Sequence, residues 1–67
     1  MTRETARVLK IEITCENQAF ADNEGGEIAR ILRRSADKFA NGDYPPYLFD
    51  ANGNCVGECK FVIRRER

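Results

Sequence analysis

The stretch from Tyr47 to Ile63, which reads YLFDANGNCVGECKFVI, decides the fold of this chain. Asn52-Gly53 separates two runs of β-prone residues, and an Asn-Gly pair in that setting is the strongest short signal for a β-hairpin. The sequence therefore predicts two antiparallel strands, Tyr47–Asp50 and Cys55–Ile63. Polar and apolar residues alternate in the second strand, which predicts a buried side made of Cys55, Gly57, Cys59, Phe61 and Ile63.

A first strand precedes the hairpin. Between Arg7 and Thr14 the apolar residues Leu9, Ile11 and Ile13 alternate with polar ones, and this period of two is typical of a half-buried strand. Its apolar face must pack against another element of secondary structure.

A helix predicted over Glu27–Ala40 packs against this apolar face. Asp22 or Asn23 suits its N-cap and Asn41-Gly42 its end, while Gly25 and Gly26 weaken its first turn. Its inward residues recur at spacings of three and four: Ile28, Ile31, Leu32, Ser35, Ala36 and Phe39. A lone Phe20 in the preceding polar loop is interpreted as a plug over one end of the core.

These elements predict an α+β domain with the order strand, helix, strand, strand. A right-handed crossover gives a three-stranded antiparallel sheet of order 1-3-2, with one helix packed on one face. We expect a single domain over residues 1–67, an ordered core over about residues 7–63 and a frayed charged tail at 64–67. Phe61 is expected to pack beneath the helix, so that Phe61→Ala unfolds most of the chain.

Composition excludes several classes of function. Lys plus Arg equals Asp plus Glu, 11 each, so the chain has no net field for attracting polyanions. No apolar run approaches the roughly 18 residues of a membrane span, and the first residues lack the apolar stretch of a secretion signal. We therefore expect a cytoplasmic protein without membrane contact.

The sequence contains no recognisable catalytic or metal-binding set. Its three cysteines, Cys15, Cys55 and Cys59, form an odd count and indicate reduced thiols, and there is no histidine. The segment Asp50–Asn54 departs from the calcium-loop pattern, and no nucleophile lies in a glycine-flanked elbow. We expect no enzyme activity, no cofactor and no metal.

Two surfaces remain as candidates for function. The sheet face away from the helix is expected to bind a protein partner or a second copy, because exposed apolar patches tend to be contact sites; its residues are Lys10, Glu12, Tyr47, Phe49, Val56, Glu58, Lys60 and Val62. The alternative is weak nucleic-acid binding through basic side chains, namely Arg30, Arg33, Arg34, Arg64, Arg65 and Arg67.

Several segments between Leu9 and Phe61 together carry a family resemblance: NQAF from Asn17, EIARILR from Glu27, Gly42-Asp43, and DANGN-VG from Asp50. In these the chain resembles short uncharacterised proteins of bacteriophages and prophages. The resemblance carries no binding or catalytic residues. It implies a small accessory protein that acts by binding a host or phage protein, including components of bacterial defence systems.

Overall fold

The computed structural model describes residues 5–65. Strand β1 spans Thr5–Ile13, helix α1 spans Glu24–Ala40, and strands β2 and β3 span Tyr47–Phe49 and Cys55–Arg65. A short 3-10 helix at Gln18–Phe20 joins β1 to α1. Both strand pairs are antiparallel and the sheet order is β1-β3-β2, which confirms the predicted α+β architecture with the C-terminal strand in the centre.

The long strands continue beyond their predicted ends. Thr5 pairs with Arg65 and Ala6 pairs with Arg64, so the two arginines expected in a frayed tail belong to β3. Cross-strand pairing with β1 places this end of the chain in the sheet. The paired residues are far apart in the sequence, so the charged composition of the tail did not indicate the pairing. The last two predicted tail residues lie outside the described residues.

Helix α1 begins at Glu24, three residues before the predicted start at Glu27. Asn23 is the N-cap, and its Oδ1 accepts a hydrogen bond from the backbone N–H of Gly26 at 3.0 Å. This cap satisfies a donor of the first turn and so offsets the low helix propensity of the glycines there. The helix ends where predicted, before Gly42 in the left-handed region at φ +81°.

The core is small and lies between α1, β2 and the first half of β3. Leu48 points into the core, and Phe20 is buried there, as its interpretation as a residue over one end of the core predicted. The buried apolar residues are Phe20, Ile31, Leu48, Val56 and Cys59.

The predicted faces of β3 are wrong at its start, because a β-bulge interrupts the alternation. Leu48 pairs with Gly57 but Phe49 pairs with Cys55, so Val56 is the extra residue on β3. A bulge reverses the alternation of side chains on its strand. Val56 is therefore in the core, although it was predicted on the outer face, and Cys55 is exposed, although it was predicted inside.

The helix also covers less of the sheet than predicted. Its buried stripe is Glu27, Ile31 and Ser35, whereas Leu32 and Ala36, predicted to face inward, are exposed. At about 1.5 Å per residue α1 is roughly 26 Å long, shorter than β3 at about 3.3 Å per residue. The far end of the β1–β3 ribbon therefore extends beyond the core, in a molecule 47 Å long.

Candidate functional site

Four apolar side chains on the far end of the ribbon lie open to water. Antiparallel register puts Leu9 opposite Phe61 and Ile11 opposite Cys59, and Ile63 lies two residues beyond Phe61 on the same face. Leu9, Ile11, Phe61 and Ile63 were all predicted to be buried, yet these residues are 38–70% exposed. We call Leu9, Ile11, Phe61 and Ile63 the ribbon patch.

The ribbon patch has a cationic and aromatic rim. The guanidinium carbon of Arg7 lies 3.9 Å from the centroid of the Phe61 ring, a cation–π contact. On the other side, the ring centroid of Tyr44 lies 5.7 Å from that of Phe61. Arg65 shares this face of β3, since it follows Ile63 by two residues. The rim therefore offers positive charge and no carboxylate from β1 or β3.

The outer face, on the side of the sheet away from α1, holds part of the predicted partner surface. Its members are set by the register and alternation of the strands: Lys10, Glu12, Tyr47, Glu58, Lys60 and Val62. Tyr47 is 57% exposed and lines an open groove of about 450 Å³ with Glu12 and Glu58.

One residue of the predicted surface lies elsewhere. Val56 is in the core, because the bulge places it there as the extra residue of β3. Phe49 is exposed and lines a groove with Arg34 and Lys38 of α1.

Charges on the outer face are arranged like against like. Lys10 lies directly opposite Lys60, and Glu12 lies directly opposite Glu58. No ion pair joins these four residues in the structure of residues 5–65. Like charges directly opposite one another on neighbouring strands are destabilising, so each of these two directly opposed pairs is unfavourable.

Two carboxylates, Asp50 and Glu27, are buried, and their burial was not predicted from the sequence. Asp50 Oδ1 accepts hydrogen bonds from the backbone N–H groups of Asn52 and Asn54 at 2.9 and 2.8 Å, and Oδ2 accepts one from Asn17 at 3.0 Å. Glu27 accepts two hydrogen bonds from Arg30 and one from the backbone N–H of Ala51. These contacts fasten the hairpin loop to α1 and to the loop after β1.

Hydrogen bonding sets the ionisation of both acids. The bonds from Arg30 lower the pKa of Glu27, against the opposing effect of burial. Burial raises the pKa of Asp50, but the bonds from Asn17, Asn54 and Asn52 outweigh it and the net pKa is lowered. Both groups are therefore ionised at neutral pH, and each accepts at least three hydrogen bonds, which suits a structural role.

The predicted basic surface does not form one continuous site. Arg30 is engaged with Glu27 at 2.8 Å, while Arg33 and Arg34 are exposed on α1. Arg64 and Arg65 are consecutive strand residues and so point to opposite faces of the sheet. Arg67, the last member of the predicted set, lies outside the described residues.

The cysteines do not form a cluster with metal-binding geometry. Cys15, Cys55 and Cys59 are free thiols, and burial raises the pKa of Cys59. Within residues 5–65 no three cysteine or carboxylate side chains approach closely enough to hold a metal ion. The same residues include no helix with the length and hydrophobicity that a bilayer-spanning segment requires.

Comparison of the chain with protein-family models, curated proteins and solved structures gives no match.

Proposed function

We propose that this protein is a small binding module, not a catalyst, and that it contacts a protein partner through the ribbon patch. The observation that carries the proposal is the exposure of Leu9, Ile11, Phe61 and Ile63 as neighbours on one face. Contiguous apolar surface costs free energy in water, and on folded proteins it marks contact sites. A domain of this length has little stability to spare for such exposure unless binding uses it.

The rim indicates the chemistry of the partner. Arg7 and Arg65 lie on the same face as the patch and are exposed. A complementary surface would present apolar side chains to the patch and carboxylates to the two arginines, since complementary charge guides encounter and register. The resemblance to short phage and prophage proteins supports a host or phage protein as the source of that surface.

Short amphipathic peptides with the same apolar residues and either acidic or basic flanks test the proposal. Fluorescence anisotropy should show tighter binding of the acidic peptides to the wild-type chain. Ile63→Ser should weaken this binding, because Ile63 is 70% exposed in the patch, whereas Tyr47→Ser on the outer face should leave it unchanged. Equal binding of both peptide classes, or equal loss in the two variants, would contradict the proposal.

Nucleic-acid binding receives less support. Arg64 and Arg65 point to opposite faces and Arg30 is engaged by Glu27, so the structure brings together fewer of the predicted cations than a phosphate-binding stripe requires. Its test is a titration with mixed DNA and RNA, in which phosphate contacts would make the affinity fall steeply with salt.

A further inference from the structure

Strand β1 has a long free edge. It pairs with β3 on one side, and in the described sheet nothing pairs with its other side. The backbone N–H of Thr14 donates to Val56 at 2.7 Å in the β1–β3 ladder. By the alternation of antiparallel pairing, even-numbered residues of β1 turn their backbone groups to β3 and odd-numbered residues turn theirs to the free edge.

Such an edge is a template for another strand. Proteins usually block exposed edges with proline, bulges, very short strands or charged side chains such as lysine. β1 is nine residues long, contains no proline, has its whole length in regular register with β3, and carries Glu12 two residues after its lysine, Lys10. The backbone N–H and C=O groups of Leu9, Ile11 and Ile13 therefore point to the free edge, where a second antiparallel strand can hydrogen-bond to them.

We propose that β1 pairs with β1 of a second copy of this chain, antiparallel, with Ile11 opposite Ile11 of that copy. A two-fold axis perpendicular to the sheet then relates the copies and forms one six-stranded sheet. In this register Leu9 lies opposite Ile13 of the second copy on the apolar face. On the outer face Lys10 lies opposite Glu12 of the second copy, and Glu12 lies opposite its Lys10.

The proposal accounts for the like-charge pairs of the outer face. Across the dimer, one row of four side chains reads Lys60, Lys10, and then Glu12 and Glu58 of the second copy. The two-fold axis generates a second row in the reverse order. Each like-charge pair within one chain thus gains a directly opposite residue of the other sign in the second copy. Dimerisation leaves the pairs within the chain in place and adds two opposite-charge pairs between the copies.

Charge also selects this register over its neighbours. Pairing centred on Lys10 would place that lysine against itself, and pairing centred on Glu12 would do the same with the glutamate. A centre at Leu9 would place Lys10 opposite Val8 and leave the charges without partners. Among the central positions of β1, Ile11 is therefore the one that brings opposite charges together.

Charge reversal gives a test in which loss of pairing is separable from loss of folding. Lys10→Glu places Glu against Glu12 of the second copy, and Glu12→Lys places Lys against Lys10. Each should weaken self-association by about tenfold or more. Within the chain both changes replace a like-charge pair on β1–β3 with an opposite one, so the monomer should fold at least as well as the wild type.

Sedimentation equilibrium at micromolar protein, with circular dichroism as the check on folding, measures the outcome. The wild type should have twice the 7.6 kDa chain mass. The double variant Lys10→Glu/Glu12→Lys should regain the dimer, and an equimolar mixture of the two single variants should form a heterodimer.

A wild type that sediments at the chain mass at every concentration would overturn the proposal. So would a dimer that both single variants retain, or a double variant that stays monomeric. The pairing brings the patch residues Leu9 and Ile11 to the dimer seam, so the two proposals share these residues. Their tests remain distinguishable, because this one alters charges on the outer face and the peptide test alters Ile63.

Discussion

Glu27 on α1 accepts a hydrogen bond from the backbone N–H of Ala51 in the hairpin loop, at 2.8 Å. The same carboxylate takes two hydrogen bonds from Arg30, one turn along the helix. One buried side chain therefore joins the helix to the β2–β3 hairpin, on the side of α1 that faces the sheet. The buried stripe Glu27, Ile31 and Ser35 lies on this side, whereas Leu32 is exposed.

Removal of this carboxylate should loosen the contact between helix and hairpin. In Glu27→Ala the backbone N–H of Ala51 and the guanidinium of Arg30 lose a charged acceptor, and a hydrogen bond to a charged group contributes roughly 1.5–3 kcal/mol. We expect a clear fall in the thermal unfolding midpoint, measured by circular dichroism. Glu24→Ala, in the same first turn but exposed, should lower the midpoint far less. Equal falls in the two variants would show that only the helix dipole is involved.

Acid should destabilise the fold through Asp50 and Glu27. Both have a lowered pKa in the folded state, so the unfolded chain binds protons more readily than the folded one. Their contribution to the free energy of unfolding is complete above the unfolded-state values of about 4 and is lost as the pH falls through the folded-state values.

Urea titrations at a series of pH values from neutral to about pH 2 measure this dependence. Asp50→Asn should lower stability at neutral pH, because the amide cannot accept the same set of hydrogen bonds. In this variant the free energy of unfolding should also fall less steeply as the pH is lowered. Asp43→Asn, at an exposed acid in the loop after α1, serves as the control. If Asp50→Asn loses stability at acid pH as steeply as the wild type, other carboxylates cause the acid destabilisation.

Local signals in the sequence predict the elements and their order. Asn52-Gly53 marks the hairpin, where Gly53 adopts φ +84°, and the period of three and four in α1 marks the helix. The face assignment of β3 fails at Val56, because a bulge depends on how two strands pair and leaves no signal in the alternation itself. The buried role of Glu27 also escaped prediction, since its partner Ala51 lies 24 residues away.

The exposure of the ribbon patch could not be predicted from the sequence, for a related reason. Alternation correctly places Leu9, Ile11 and Phe61 on one face, the face that carries α1. How far α1 extends over that face depends on where the helix lies, which the contacts at Glu27 and Leu48 determine. The predicted partner surface was therefore assigned to the outer face, whereas the larger apolar exposure lies on the same side as α1.

Gly57 should be the least replaceable glycine. A Cβ at this position would overlap the backbone oxygen of Glu12, and it would lie 2.9 Å from the carbonyl carbon of Glu12 and 3.1 Å from the Cα of Ile13. These atoms belong to the β1 ladder and cannot move without breaking it, so Gly57→Ala should cost on the order of 2–3 kcal/mol.

Gly25→Ala is the matched control for Gly57→Ala. Space around a Cβ at Gly25 is open, and the residue lies in the first turn of α1. Alanine is the better helix former, so this variant should be more stable than the wild type by about 0.5–1 kcal/mol. Urea titrations of the two variants should therefore shift in opposite directions; a tolerated Gly57→Ala would mean that β1 and β3 are less closely apposed.

The depth of burial of Leu48 and Phe61 predicts which truncation the fold tolerates. Leu48 is 2% exposed within the core, whereas Phe61 is 38% exposed and contacts Arg7 and Tyr44 at the patch rim. Leu48→Ala should cost about 2–5 kcal/mol, which approaches the roughly 3–5 kcal/mol that a core of this size supplies. That variant should be largely unfolded at room temperature.

Phe61→Ala should instead remain folded in the same urea titrations, with a loss of roughly 2 kcal/mol, because 38% of the residue is already exposed to water. This replaces the expectation from sequence that Phe61 lies under the helix. Glu58→Ala, on the outer face, should change stability by no more than about 0.5 kcal/mol. If Phe61→Ala unfolds the chain while Leu48→Ala leaves it folded, then α1 covers the ribbon patch in solution, and the patch is core instead of binding surface.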